Sequence, residues 1–114
     1  MHFSKILIAS AALIQGALST GILTYSGRDC TGEETATTIE DGPCTGPLPV
    51  FQSYKENGYG PDGDRISFYG SGECTIETFL YDTWANDGDY FQSKTCYNID
   101  GHSNSRTAAS VKQQ

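Results

Sequence analysis

The sequence predicts an all-β domain, a small disulfide-stapled β-sandwich. Three observations point there. β-branched and aromatic residues gather in short runs, turns rich in glycine and aspartate separate them, and no long stretch keeps a helical period with good helix formers.

Ahead of the first run stands a leader. Residues 1–19 carry one lysine, Lys5, then an apolar run from Ile6 to Leu13, then small residues ending in Ala17-Leu18-Ser19, the order of a secretory signal peptide. The run is too short to span about 30 Å of hydrocarbon, and Gln15 and Gly16 interrupt it. Cleavage is expected after Ser19, which leaves roughly 95 residues outside the cell, enough for one domain.

The runs then follow in order. ILTYS (Ile22–Ser26) leads through the turn Ser26-Gly27-Arg28-Asp29 to TATTI (Thr35–Ile39), and Asp41-Gly42-Pro43 precedes VFQSY (Val50–Tyr54). Gly58–Asp64 is the joint between two halves. RISFY (Arg65–Tyr69), TIETFLY (Thr75–Tyr81) and YFQSKTCYNI (Tyr90–Ile99) complete the set, the last two parted by Asn86-Asp87-Gly88-Asp89. From Gly101 on, GHSNSRTAASVKQQ offers little to bury and is expected to be a flexible tail. These bounds give a domain over 20–100, with repeats near 21–57 and 65–99, and a tail over 101–114.

A domain this small buries only some 60–65% of its unfolded surface, so crosslinks matter. Cys30, Cys44, Cys74 and Cys96 read as two disulfides in an exported chain. Their intervals of 14, 30 and 22 residues lack the close pairs of a zinc site. Closing a short loop within each half favours Cys30–Cys44 with Cys74–Cys96, although four cysteines allow three connectivities and sequence alone does not fix the pairing.

Fourteen acidic residues against seven basic ones give a net charge of −7, and loss of Lys5 with the leader makes it more negative. Such a surface repels phosphate backbones and anionic lipid heads, and the basic residues nowhere cluster. Neither nucleic-acid binding nor membrane insertion is expected, and the chain is read as a monomer.

The halves echo each other. TYSGRDCTG (Thr24–Gly32) and FYGSGECTI (Phe68–Ile76) both place a tyrosine five residues before Cys-Thr, and Phe51-Gln52-Ser53 recurs as Phe91-Gln92-Ser93. This layout resembles the Greek-key motif of the β/γ-crystallin superfamily, in which an aromatic, four residues, an aromatic or cysteine, one residue and a glycine open each motif and a serine falls late in it. Tyr25, Cys30, Gly32 and Ser53 fit in the first half. Tyr69, Cys74 and Ser93 fit in the second, but Ile76 stands where the glycine belongs. The resemblance implies two hairpins folded back over their sheets, with Gly32 at positive φ and the second hairpin distorted or built differently.

Chemistry is sparse. His2 departs with the leader, leaving His102 in the tail, and no Ser-His-Asp or Cys-His set can be assembled, so no enzyme activity and no cofactor are expected. Many members of the crystallin-like family bind calcium through two Asn/Asp residues, two variable residues, Ser/Thr and then Ser. Counting back from Ser93 leaves one acid, Asp89, and from Ser53 none. No metal is expected, and Asp87 and Asp89 are the calcium candidates. Aromatic residues remain: Tyr59 in the glycine-rich joint, and Tyr81, Trp84 and Tyr90 around the Asn86–Asp89 turn, with Trp84 the best single candidate for touching a partner.

Export, crosslinks, acidity and the absence of a catalytic set resemble the small cysteine-rich proteins that filamentous fungi secrete. The expectation is a secreted, non-enzymatic interaction protein of effector type, acting on a host or competing organism through an extracellular protein, host component or glycan. The rivals are a cell-wall carbohydrate-binding protein using Trp84 and the tyrosines, and a killer toxin or protease inhibitor using the Gly58–Asp64 loop.

Overall fold

The computed structural model describes residues 18–114; the expected leader, apart from Leu18 and Ser19, lies outside the described residues. Strands β1 (Thr20–Tyr25), β2 (Glu34–Ile39), β4 (Ser53–Glu56) and β7 (Cys96–Asn98) form one antiparallel sheet in the order β2-β1-β4-β7. Strands β3 (Cys44–Thr45), β5 (Arg65–Tyr69), β6 (Phe79–Trp84) and β8 (Ser110–Gln113) form the other, in the order β3-β8-β5-β6. The expected all-β, disulfide-stapled sandwich is what the chain adopts.

Alternation decides which faces meet. Ile22, Ile39 and Tyr54 from the first sheet and Ile66, Phe68, Tyr81 and Val111 from the second are buried together. The Tyr54 ring lies between the sheets, stacked on Phe68 with centroids 4.7 Å apart and on Tyr97 at 5.5 Å. Its hydroxyl donates to the Tyr90 carbonyl (2.9 Å) and so accepts from the Tyr81 hydroxyl (2.8 Å). Burial pushes both phenols well above the ordinary tyrosine range.

The two sheets repeat one plan. β4 lies beside β1 with Ser53 opposite Tyr25, and β8 lies beside β5 with Ser110 opposite Tyr69. The third strand of each half crosses to the other half's sheet. β3 pairs with β8, placing Cys44 opposite Lys112, and β7 pairs with β4, placing Cys96 opposite Lys55. Between the sheets, Phe51 and Ala108 exchange two backbone hydrogen bonds of 3.0 Å and mark the joint about which the halves interchange.

That exchange overturns three expectations. The segment 101–114 is not a flexible tail: β8 is an interior strand of its sheet, and Ser110, Val111 and Gln113 are fully buried. Gln113 ties the end of the chain to the first strand and to the joint, accepting from the Thr20 hydroxyl at Oε1 (2.6 Å) and donating from Nε2 to Asp64 Oδ2 (3.0 Å). The second repeat therefore runs to 113 rather than 99. The disulfides are Cys30–Cys96 and Cys44–Cys74, not local pairs, because the exchanged strands carry Cys44 and Cys96 beneath the opposite hairpins. Finally, Ser93 is not the second late serine. Ser110 is, and Ala108-Ala109-Ser110 occupies the place of Phe51-Gln52-Ser53.

Candidate interaction surface

The two hairpins between β1 and β2 and between β5 and β6 reach across to β4 and β8. Cys30 N–H donates to Ser53 Oγ (2.8 Å), which donates to the Gly27 carbonyl (2.6 Å). Cys74 N–H donates to Ser110 Oγ (3.0 Å), which donates to the Ser71 carbonyl (2.6 Å). Each buried serine thus satisfies one donor and one acceptor of the half-buried hairpin above it. Gly32 sits at φ +85°, and a Cβ there would press into the Ser26 hydroxyl. Ile76 escapes the strain expected of it because the second hairpin is a residue longer. Gly70 N–H bonds Thr78, where Ser26 N–H bonds Glu33, and Ile76 begins a 3₁₀ turn (Ile76–Thr78).

Of the aromatic candidates, Trp84 alone is exposed, at 46%. The β5–β6 register puts Arg65 opposite Trp84, and the guanidinium lies over the indole at 4.3 Å from the ring centre. Asp82, two residues earlier on the same face, bonds the Arg65 guanidinium and, with Asp89 nearby, favours its charged form. From behind, Gly88 packs so closely on the Trp84 backbone that a side chain there would collide with it. Tyr90 N–H adds a bond to the Thr83 hydroxyl (3.1 Å). The result is a fixed platform: an indole edge in solvent, a guanidinium and two carboxylates. It can stack on a ring or apolar group and hydrogen-bond beside it.

The other candidates are committed elsewhere. Tyr81 is a core residue, which corrects its placement at the surface. Tyr90 stacks on His102 with centroids 4.0 Å apart, and the Tyr59 hydroxyl accepts from Ser93 N–H (3.0 Å) and reaches Asp87 at 3.5 Å. His102 also meets Tyr81 and Tyr97, and burial holds its imidazole below the ordinary histidine range. The Gly58–Asp64 loop is bonded to the body at both ends: Gly21 N–H donates to the Gly58 carbonyl and Ala85 N–H to the Asp64 carbonyl, so its exposed tip is Asp62-Gly63.

Counting back from Ser110, which lies opposite Tyr69 as Ser53 lies opposite Tyr25, gives Ser105-Arg106-Thr107-Ala108-Ala109, with no acid. Asp87 and Asp89 lie on an exposed turn, and no group of three or more His, Cys, Asp or Glu side chains able to hold a metal occurs among the described residues. Nor is any helix among them long and apolar enough to cross a membrane. Sequence reasoning missed Arg65, whose role appears only through its register with Trp84, and Ser110, whose signal was the alternation in ASVKQ.

Fold and surface together define a small all-β sandwich, crosslinked between its halves by two disulfides and presenting one braced tryptophan. Comparison with protein-family models, curated proteins and solved structures returned no match.

Proposed function

We propose that this is a secreted, non-enzymatic interaction protein of effector type, built on a crystallin-like Greek-key domain and acting on a host or competing organism through the surface around Trp84. The observation that carries the reading is the exposed indole held in place by Arg65 and Asp82, because a large apolar ring kept in water and kept still is what a binding hot spot requires. The leader pattern and the disulfides support export. The repeated serine latch, and the return of the fourth strand of each half to lie beside the first, support the crystallin-like reading.

The test compares the native protein with Trp84→Ala, both immobilised and exposed to extracellular fluid of a candidate host and to a glycan array. The variant should melt within about 2 °C of the native protein, as a surface change does. It should also lose the host protein that the native form captures. Capture unchanged by the substitution would remove Trp84 from the contact. Retention on glycans alone, dependent on Trp84, would move the protein to the cell-wall carbohydrate-binding class.

A further inference from the structure

A second exposed apolar surface lies away from Trp84, on the second hairpin. Ile76 is 77% exposed and Phe79 42%. They stand three residues apart across the Ile76–Thr78 turn, closed by Phe79 N–H donating to the Ile76 carbonyl, and in a 3₁₀ turn such residues lie one above the other. A register shift follows: Phe68 faces Tyr81 and Tyr69 faces Phe79, so Leu80 is the extra residue of a β-bulge at the sheet edge. Phe79 and Leu80 then border a shallow, open depression whose other lining residues, His102, Ser103, Asn104 and Ser105, are polar.

The repeat supplies an internal control. The positions matching Ile76 and Phe79 in the first half are Gly32 and Glu34, since Tyr25 faces Glu34 as Tyr69 faces Phe79. The same fold therefore carries a glycine and a glutamate there, so its plan does not require an apolar pair, although Phe79 also meets the edge of the Tyr69 ring at 5.8 Å. The surroundings define what would cover it. Glu73 and Glu77 are exposed on the hairpin, residues 70–81 contain no lysine or arginine, and Arg106, next in sequence to the depression, is not part of its lining.

We propose that Ile76, Phe79 and Leu80, with the adjoining depression, dock a segment of a partner protein that carries apolar side chains among basic ones. The apolar residues would cover Ile76, Phe79 and Leu80, polar groups of the segment would lie over the depression beside them, and the cations would meet Glu73 and Glu77. This surface is independent of the Trp84 platform, so either can fail alone.

The test is fluorescence polarisation of the disulfide-intact protein with a labelled peptide of alternating leucine and lysine, and with its glutamate-for-lysine counterpart. The lysine peptide should bind at least about tenfold more tightly than the glutamate one, and Ile76→Ser with Phe79→Ser should weaken it by about tenfold or more. Ile76→Ser alone, at a site with little to lose in folding, should show part of that loss with an unchanged melt. Trp84→Ala should bind as the native protein does. So should Glu33→Gln with Glu40→Gln, which removes two carboxylates from the other half. Absence of binding, equal affinity for both peptides, no effect of the serine variants, or an equal loss in the Glu33/Glu40 variant would each overturn the proposal. A native dimer that Ile76→Ser converts to monomer on sedimentation would assign the face to a second copy and overturn it as well.

Discussion

The hairpin over residues 26–33 and the hairpin over residues 70–78 are fastened alike and finished differently. Both hang from one buried serine and one interhalf disulfide. Beyond that, the first is braced by charge: Arg28 bonds Asp100, and Asp29 and Asn98 exchange two hydrogen bonds of 2.7 and 2.9 Å. The second is braced by hydroxyls, with Ser71, Thr75 and Thr78 bonded to one another, and by close contact of Gly72 with Pro47. What the halves share is what the fold needs; where they differ, the chain was free to build a surface.

The largest effect should come from breaking the shared crosslinks. In the chain-entropy account a bridge closing 66 residues is worth about 4.3 kcal/mol and one closing 30 about 3.6 kcal/mol. Since one loop encloses the other, the two do not simply add. Removing either pair with serines should lower Tm by roughly 15 °C or more, and Cys30/Cys96 should cost somewhat more than Cys44/Cys74. Melting curves of the two double variants and of the reduced protein test this. A reversed order would show that one hairpin depends on its bridge for more than chain entropy.

Next are the latches. Ser53→Ala and Ser110→Ala each remove two hydrogen bonds from a half-buried hairpin amide and carbonyl, so each should cost about 1–2 kcal/mol. The two losses should agree within the error of a chemical melt. If Ser110→Ala were much milder, the hydroxyl ladder of the second hairpin would be carrying it, and the equivalence of the halves would be looser than their geometry.

Much of this plan was legible in the sequence, and the failures share one cause. β1, β2 and β5 are legible because β-branched and aromatic residues crowd them, as in Ile22–Tyr25, Thr35–Ile39 and Ile66–Tyr69. β8 was missed because position, not composition, buries it. Ala108, Ala109 and Ser110 are small, with no aromatic or β-branched residue among them, where Phe51, Gln52 and Ser53 are recognisable. One large ring facing one alanine is how the Phe51–Ala108 joint closes, so the second copy of the motif could not repeat its phenylalanine. The Phe91-Gln92-Ser93 echo then misled, since Phe91 serves the core and Gln92 and Ser93 are exposed. Short loops within each half favour local disulfides, but the exchange of β3 and β7 joins the cysteines across the halves instead. The Trp84 candidate was visible as an aromatic among turn formers, but its guanidinium brace required the register.

Within the hairpins, Gly32→Val should cost more than Ile76→Val. The first forces a β-branched residue to φ +85° against Ser26, a strain of at least about 1–3 kcal/mol. The second trims a methylene from a side chain already in water, and its melt should be indistinguishable from the native one. A silent Gly32→Val would mean that the first hairpin can borrow the longer path of the second.

The smallest expected difference lies beneath the hairpins. Tyr25 donates to Glu34 Oε2 (2.6 Å), and that bond, with burial and the carboxylate's charge, pushes its phenol up to about 12. Tyr69, its counterpart, meets the edge of the Phe79 ring instead, at 5.8 Å. A phenol whose pKa is raised on folding holds its proton more tightly in the native state. Its stabilisation is therefore complete below pH 10 and is lost as pH rises from there through about 12. Glu34→Gln removes the charge and the anionic acceptor, so Tyr25 should ionise at lower pH, while the buried Tyr54 and Tyr81 resist as before. Spectrophotometric titration of the phenolates resolves the change as one early-titrating tyrosine in the variant. If the native and variant curves coincide, burial rather than Glu34 governs Tyr25.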